Sequence, residues 1–221
     1  MLLDTFDQAL SEAHRQYARD MADESQLAPF FDQALLLMIV ELEYQVEWAA
    51  EFGHALLTDL ADPWSTLQSF AMRTALVGTF VKELTTRSKK LAAGFPDRGE
   101  MLRKFFGINY DFTAAKAVRD GMVHIDERIE ERWLALAQHP DGRPALLLRT
   151  EGALGDSTHT MINWDPEGRK LATARKVGEG YHELDVAEAV DALERAAKEL
   201  AAFRAWMEGT GPAPAGMVVH R

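Results

Sequence analysis

The stretch Val118-Arg119-Asp120-Gly121-Met122-Val123-His124 sets a guanidinium and an imidazole five positions apart. Arginine is a permanent, planar cation matched to phosphate oxygens, and histidine both takes and gives a proton near neutrality at its unperturbed pKa. Together they could handle a phosphodiester, with Arg119 holding the charge while His124 removes a proton from a ribose 2′-hydroxyl or protonates the leaving oxygen. Asp120 precedes His124 by one helical turn and could accept a hydrogen bond from the imidazole, fixing its tautomer. On a continuous helix Arg119 and His124 would stand roughly 140° and about 7.5 Å apart, so they would flank a groove. Two such helices, each supplying an arginine and a histidine, would complete a cleft.

An arginine followed closely by a histidine is common, because Arg132/His139 and Arg175/His182 also occur, with six residues between the partners where Arg119/His124 has four. Only Arg119/His124 falls inside a helical pattern, since the second pair runs into Pro140 and the third spans Gly178 and Gly180. A competing motif is Glu51-Phe52-Gly53-His54, an E-x-x-H sequence of the kind that supplies two ligands to a di-iron centre in helical carboxylate proteins. That motif needs a second helical copy, and Glu179-Gly180-Tyr181-His182 sits in a glycine-rich turn. The sequence contains no G-x-S-x-G, no G-x-x-x-x-G-K-[ST] and no dinucleotide fingerprint after a strand. No metal and no cofactor are therefore expected. With no cysteine, disulfides, thiolate zinc sites and cysteine nucleophiles are excluded.

The elements that must position the pair read as mostly helical. A helix is expected over residues 5–22, and Ala28-Pro29 precedes a long second one from about Phe30 to Leu57. Its inner face is Leu42, Val46, Ala49, Ala50 and Leu57, with Glu43, Glu47 and Glu51 as an outer acidic row. A third helix starts at Asp62-Pro63-Trp64-Ser65 and runs to about Leu91, and a short fourth spans Asp97 to Phe106 and stops at Gly107. The helix capped by Asp111 carries Ala115, Val118, Met122, Ile125, Ile129 and Trp133 as one core stripe.

Beyond His139-Pro140-Asp141-Gly142-Arg143-Pro144 the pattern turns to strands near Ala145–Thr150, His159–Trp164 and Lys170–Lys176. The last two flank the turn sequence Asp165-Pro166-Glu167-Gly168 and should form a hairpin. Asp185-Val186-Ala187-Glu188 has the form of a capping box and opens a final helix to about Met207, followed by a loose tail from Gly209. The expected organisation is a helical bundle over residues 1–139, a small antiparallel β element plus C-terminal helix over 140–208, and a tail over 209–221.

At 221 residues and 47% hydrophobic content the chain can bury its own core. The net charge of −11 is local: residues 1–63 hold thirteen acidic side chains against Arg15 and Arg19, and the remainder is balanced. Lys82 to Lys104 carries a net +4, the one stretch whose charge would attract a polyanion. The N-terminus lacks a signal-like apolar run, and no apolar run reaches the roughly 20 residues of a membrane helix, so a cytoplasmic protein without membrane contact is expected.

At Arg119, Asp120 and His124 the sequence resembles the HEPN domains, helical modules that share an arginine, a polar residue and a histidine a few residues after the arginine. The run His124-Ile125-Asp126-Glu127-Arg128 and the flanking helices over approximately residues 28–135 resemble a bacterial HEPN-like group in outline. The resemblance implies a mainly α, HEPN-like bundle with a small antiparallel β insert and a C-terminal helix. It also implies homodimers whose motifs face each other, and metal-independent cleavage of RNA with Arg119, Asp120 and His124 as the catalytic set. The alternative is a non-catalytic dimerisation or protein-partner module in which Arg119 and His124 belong to a structural network. Trp133, Trp164, Phe203 and Trp206 would then serve a protein interface or the core.

Overall fold

A computed structural model of the chain describes residues 28–58, 61–82, 98–138, 146–154 and 159–212. The helix expected over 5–22, most of the basic stretch after Lys82 and the end of the tail lie outside them. In order come α1 (Ala28–Leu57), α2 (Trp64–Phe80), α3 (Arg98–Phe105), α4 (Thr113–Val123) and α5 (Ile125–Ala137). They are followed by β1 (Leu147–Glu151), β2 (Thr160–Asp165), β3 (Lys170–Ala174), β4 (Tyr181–Asp185) and α6 (Val186–Met207). Among the described residues no helix is long and apolar enough to cross a membrane.

The described residues fall into two compact units. The first comprises 28–46, 80–82, 98–109 and 194–212. Ile39, Leu42 and Val46 of α1, Leu102 of α3 and Leu200 and Phe203 of α6 are buried there. Phe106 meets Phe203 edge-to-face, with ring centroids 5.7 Å apart. Gly107, at φ +59°, supplies the left-handed residue that ends α3, as its position after the last apolar residue predicts. Arg103 Nε donates to the Val81 carbonyl at 2.9 Å and so fixes the chain just beyond α2. The third helix expected to reach Leu91 ends at Phe80 instead.

The second unit comprises 47–58, 61–79, 110–138, 146–154 and 159–193 and contains the sheet, whose strand order is β1-β2-β3-β4. The first pairing is parallel, with Leu147 opposite Thr160, and the other two are antiparallel. Residues 160–164 of β2 and 171–174 of β3 are buried without alternation, so both faces of these strands are covered. The mainly α bundle with a small antiparallel β insert is thus corrected to a mixed α/β architecture, in which a four-stranded sheet is part of the core. The physical reason lies in β4 and β1. Tyr-His-Glu-Leu-Asp is short, polar and preceded by glycines, while β1 reaches its parallel neighbour through only residues 152–159, a length that ordinarily signals a hairpin. Eight extended residues span about 26 Å, enough to return along a five-residue strand.

Close approach in this unit depends on glycine at two places. Gly53 of α1 faces Val190 of α6 and Phe70 of α2 so tightly that a Cβ would overlap the valine methyl. Gly121 of α4 rests on Thr173 of β3, where a Cβ would lie 2.5 Å from the threonine Oγ1.

The single helix expected after Asp111 is two helices. The N-cap of α4 is Phe112, without a side-chain cap bond, rather than the expected Asp111, which stands one residue earlier and accepts from the Thr113 backbone N–H at 2.9 Å. His124, at φ −101° and ψ 33°, breaks the helical run, and α5 begins afresh with Asp126 and Glu127 in its first turn, where their charge suits the helix dipole. Glycine at 121 and β-branched Val123 lower helix propensity just before the break. The reorientation interrupts the predicted stripe: Ala115 and Val118 are buried, Met122, Ile125 and Ile129 are half-buried, and Trp133 is 47% exposed. The buried residues of α5 are Arg132 and Leu136.

Candidate functional site

The break at His124 places α4, the start of α5 and strand β4 around one open depression of about 340 Å³. Lys116, Asp120 and Gly121 of α4, His124 at the break, Arg128 of α5 and His182 of β4 line it. Lys116, Asp120, His124 and Arg128 recur every fourth residue, so a helical turn separates each from the next on one face. His182 arrives from the sheet, where it pairs in register with Thr173, the residue on which Gly121 rests.

The catalytic set expected from the sequence is divided by this arrangement. His124 borders the depression with half of its side chain exposed. Its Nδ1 lies 3.3 Å from Glu127 Oε1, so the carboxylate beside the imidazole is Glu127 rather than Asp120. Asp120 also borders the depression, but its two oxygens face cations: Oδ2 lies 2.5 Å from Lys116 Nζ and Oδ1 2.9 Å from Arg119 Nε. The Arg119 contact is Coulombic, since that buried Nε–H is not aligned for a hydrogen bond. Arg119 does not line the depression.

Arg128, Lys116 and His182 are site residues that the sequence reading did not single out. Arg128 is mostly buried, with Nη1 2.9 Å from Glu131 Oε2. Burial, followed by the cations of Arg175 and Arg128, pushes the His182 imidazole below the usual histidine range, while Glu179 and Asp120 oppose the shift. His182 is therefore held toward its neutral, proton-accepting form at neutral pH. The four-residue column could have revealed Lys116 and Arg128. His182 carried only the Arg175/His182 spacing and the E-x-x-H copy Glu179-Gly180-Tyr181-His182, both set aside because glycines make a helix implausible there, whereas the residue is on a strand.

Of the competing E-x-x-H motif, Glu51 and His54 are exposed on α1, while Glu179 lies in the turn before β4. Among the described residues no group of three or more histidine, aspartate or glutamate side chains is arranged to hold a metal ion. Chemically the depression offers two imidazoles in different surroundings, two cations and one carboxylate already engaged by cations. An arrangement of this kind can bind an anion and move protons on either side of it.

The chain is a mixed α/β protein with an open depression lined by His124, His182, Lys116 and Arg128. No family model matches the chain, and neither the curated proteins nor the solved structures contain a match.

Proposed function

We propose that this depression binds single-stranded RNA and cleaves it by metal-independent transesterification, the class of reaction that the HEPN-like motif also suggests. His182 takes the proton of a ribose 2′-hydroxyl, whose oxygen bonds to phosphorus. His124 gives a proton to the departing 5′-oxygen as the phosphorus–oxygen bond breaks. The products are a 2′,3′-cyclic phosphate and a 5′-hydroxyl, leaving His182 protonated and His124 neutral. Lys116 and Arg128 offset charge on the non-bridging oxygens. The carrying observation is the convergence of His124, His182, Lys116 and Arg128 on one open depression within a single chain.

In this reading Arg119 and Asp120 form the supporting ion-pair network, and Arg128 takes the phosphate-binding role expected of Arg119. The reading needs no twin motif from a second copy to supply the other imidazole. A cytoplasmic location, where RNA is at hand, belongs to the same proposal.

The test is incubation of the purified chain with a labelled single-stranded RNA in EDTA, beside the same sequence with 2′-deoxy or 2′-O-methyl sugars. Cleavage of the RNA alone, leaving cyclic phosphate ends, is the expected result. Cutting of the 2′-blocked strands, or intact RNA at every enzyme concentration, overturns the proposal.

A further inference from the structure

The column of every-fourth residues that borders the depression does not end at Arg128, because Arg132 follows it one turn further along α5. The two positions are separated by a rise of about 6 Å. Arg132 is only 7% exposed, and a guanidinium keeps its charge throughout the physiological pH range. A buried charge is costly unless a counter-charge and hydrogen bonds compensate it. Its own helix supplies neither, since the positions three and four residues away are Arg128, Ile129, Ala135 and Leu136. Arg119 and Arg128 each have a carboxylate at hand, Asp120 and Glu131. Among the described residues Arg132 has no carboxylate partner, and a like charge precedes it by one turn.

The strand beside it does not restore the balance. Arg132 Cζ lies 5.9 Å from the centroid of the Tyr181 ring, at the outer limit of a cation–π attraction. The Tyr181 hydroxyl donates to the Thr160 carbonyl at 3.0 Å, and burial raises its pKa, so the phenol is neutral and offers no counter-charge. Arg132 Nε is closed off from solvent with no hydrogen-bond partner, whereas the two terminal nitrogens are not closed off in this way. The guanidinium tip therefore stays within reach of a solute while its charge is uncompensated by the chain.

We propose that Arg132 binds a phosphate group, with its terminal nitrogens donating to phosphate oxygens. The planar fork of donors suits that oxyanion, and Arg128 one turn away adds attraction for it. The phosphate is either a free ion or part of a nucleotide strand that continues past the depression, and the recognising chemistry is the same for both. The site rests on the unpaired buried cation and does not require cleavage at the depression.

Thermal unfolding of the full chain in rising inorganic phosphate, against chloride at matched ionic strength, tests the site. The wild-type melting temperature should rise with phosphate and level off, as for a ligand bound only by the native state, and Arg132→Met should lose that rise. Arg132→Lys, which keeps the charge without the fork, should retain a weakened one. In chloride alone Arg132→Met should melt no lower than the wild type, because an apolar chain of similar volume removes an uncompensated buried charge. A 2′-O-methyl trinucleotide, which resists 2′-hydroxyl chemistry, separates the two sources. Binding to Arg132→Met that is about tenfold weaker or more assigns the phosphate to a strand, and unchanged binding beside the phosphate response assigns it to a free ion. A wild type that ignores phosphate, a rise undiminished in both variants, or a chloride melting temperature far below the wild type in Arg132→Met overturns the proposal.

Discussion

Arg128 of α5 and His182 of β4 border the same depression, and the guanidinium is one of two cations that, after burial, hold the imidazole pKa down. Strand and helix thus bring together a base and a cation that lie 54 positions apart in the chain. Their conjunction distinguishes the site from a solvated helix surface with ordinary charges.

This lowered pKa has a consequence for stability. Protonating His182 costs more in the folded protein than in the unfolded chain, so the stability it contributes is present above the ordinary histidine value of 6.5. That contribution is lost as pH falls through the lower folded pKa. Melting temperatures recorded from about pH 7.5 down to about 5 should therefore decline less steeply in His182→Gln than in the wild type. Identical slopes would count against the assignment. NMR titration gives the complementary measurement, because Arg128→Gln should move the His182 pKa upward.

Tyr110 makes the opposite prediction at alkaline pH. Burial, then the carboxylates of Glu188, Asp185 and Asp111, push its phenol from 10 up to about 12. A phenol raised in the folded state contributes stability that is complete below pH 10 and disappears as pH rises toward 12. Burial raises Tyr181 as well, so ultraviolet titration should show tyrosine ionisation extending above pH 10, and Tyr110→Phe should remove the phase near 12. Loss of an ordinary phase near pH 10 instead would contradict the burial and charge environment described for this ring.

Gly121→Ala tests the contact that brings α4 onto the sheet. Alanine favours a helix over glycine by about 1 kcal/mol, so an open site would be stabilised. At this position the added Cβ would lie 2.5 Å from Thr173 Oγ1 and 2.9 Å from its Cβ, and one of the elements must move. The expected outcome in urea denaturation is a net loss of about 1–2 kcal/mol, as for other overpacked sites. Pairing the change with Thr173→Ala should recover part of that loss. A gain in stability for the single variant would show that α4 does not approach β3 this closely.

Much of the local structure was legible from neighbouring residues alone. The β2–β3 turn follows from Asp165-Pro166-Glu167-Gly168, where the Asp165 carboxylate accepts from the Gly168 N–H at 2.9 Å. The start of α6 follows from Asp185, which accepts from the Glu188 N–H at 2.9 Å. The architecture was less accessible because it depends on partners distant in sequence. Tyr181–Asp185 becomes a strand by adding to β3, and the parallel β1–β2 pairing leaves no local turn signature.

Within the site, His124 was visible from its surroundings, whereas His182 joins it only through the sheet. The expectation for Arg119 assumed an unbroken helix, and the break at His124 changes which cation shares its depression. The same break explains why Trp133, predicted to continue the core stripe, is exposed.

The central claim is that both imidazoles, rather than the Arg119/His124 pair, act on the RNA. Its most direct test is the cleavage rate of one RNA in EDTA by the wild type, His182→Gln, His124→Ala and Arg119→Ala. Each histidine variant should lose at least about 100-fold in rate, the usual contribution of a positioned acid or base, while Arg119→Ala stays within a few-fold of the wild type. Full activity in His182→Gln alongside collapse in Arg119→Ala would contradict the account.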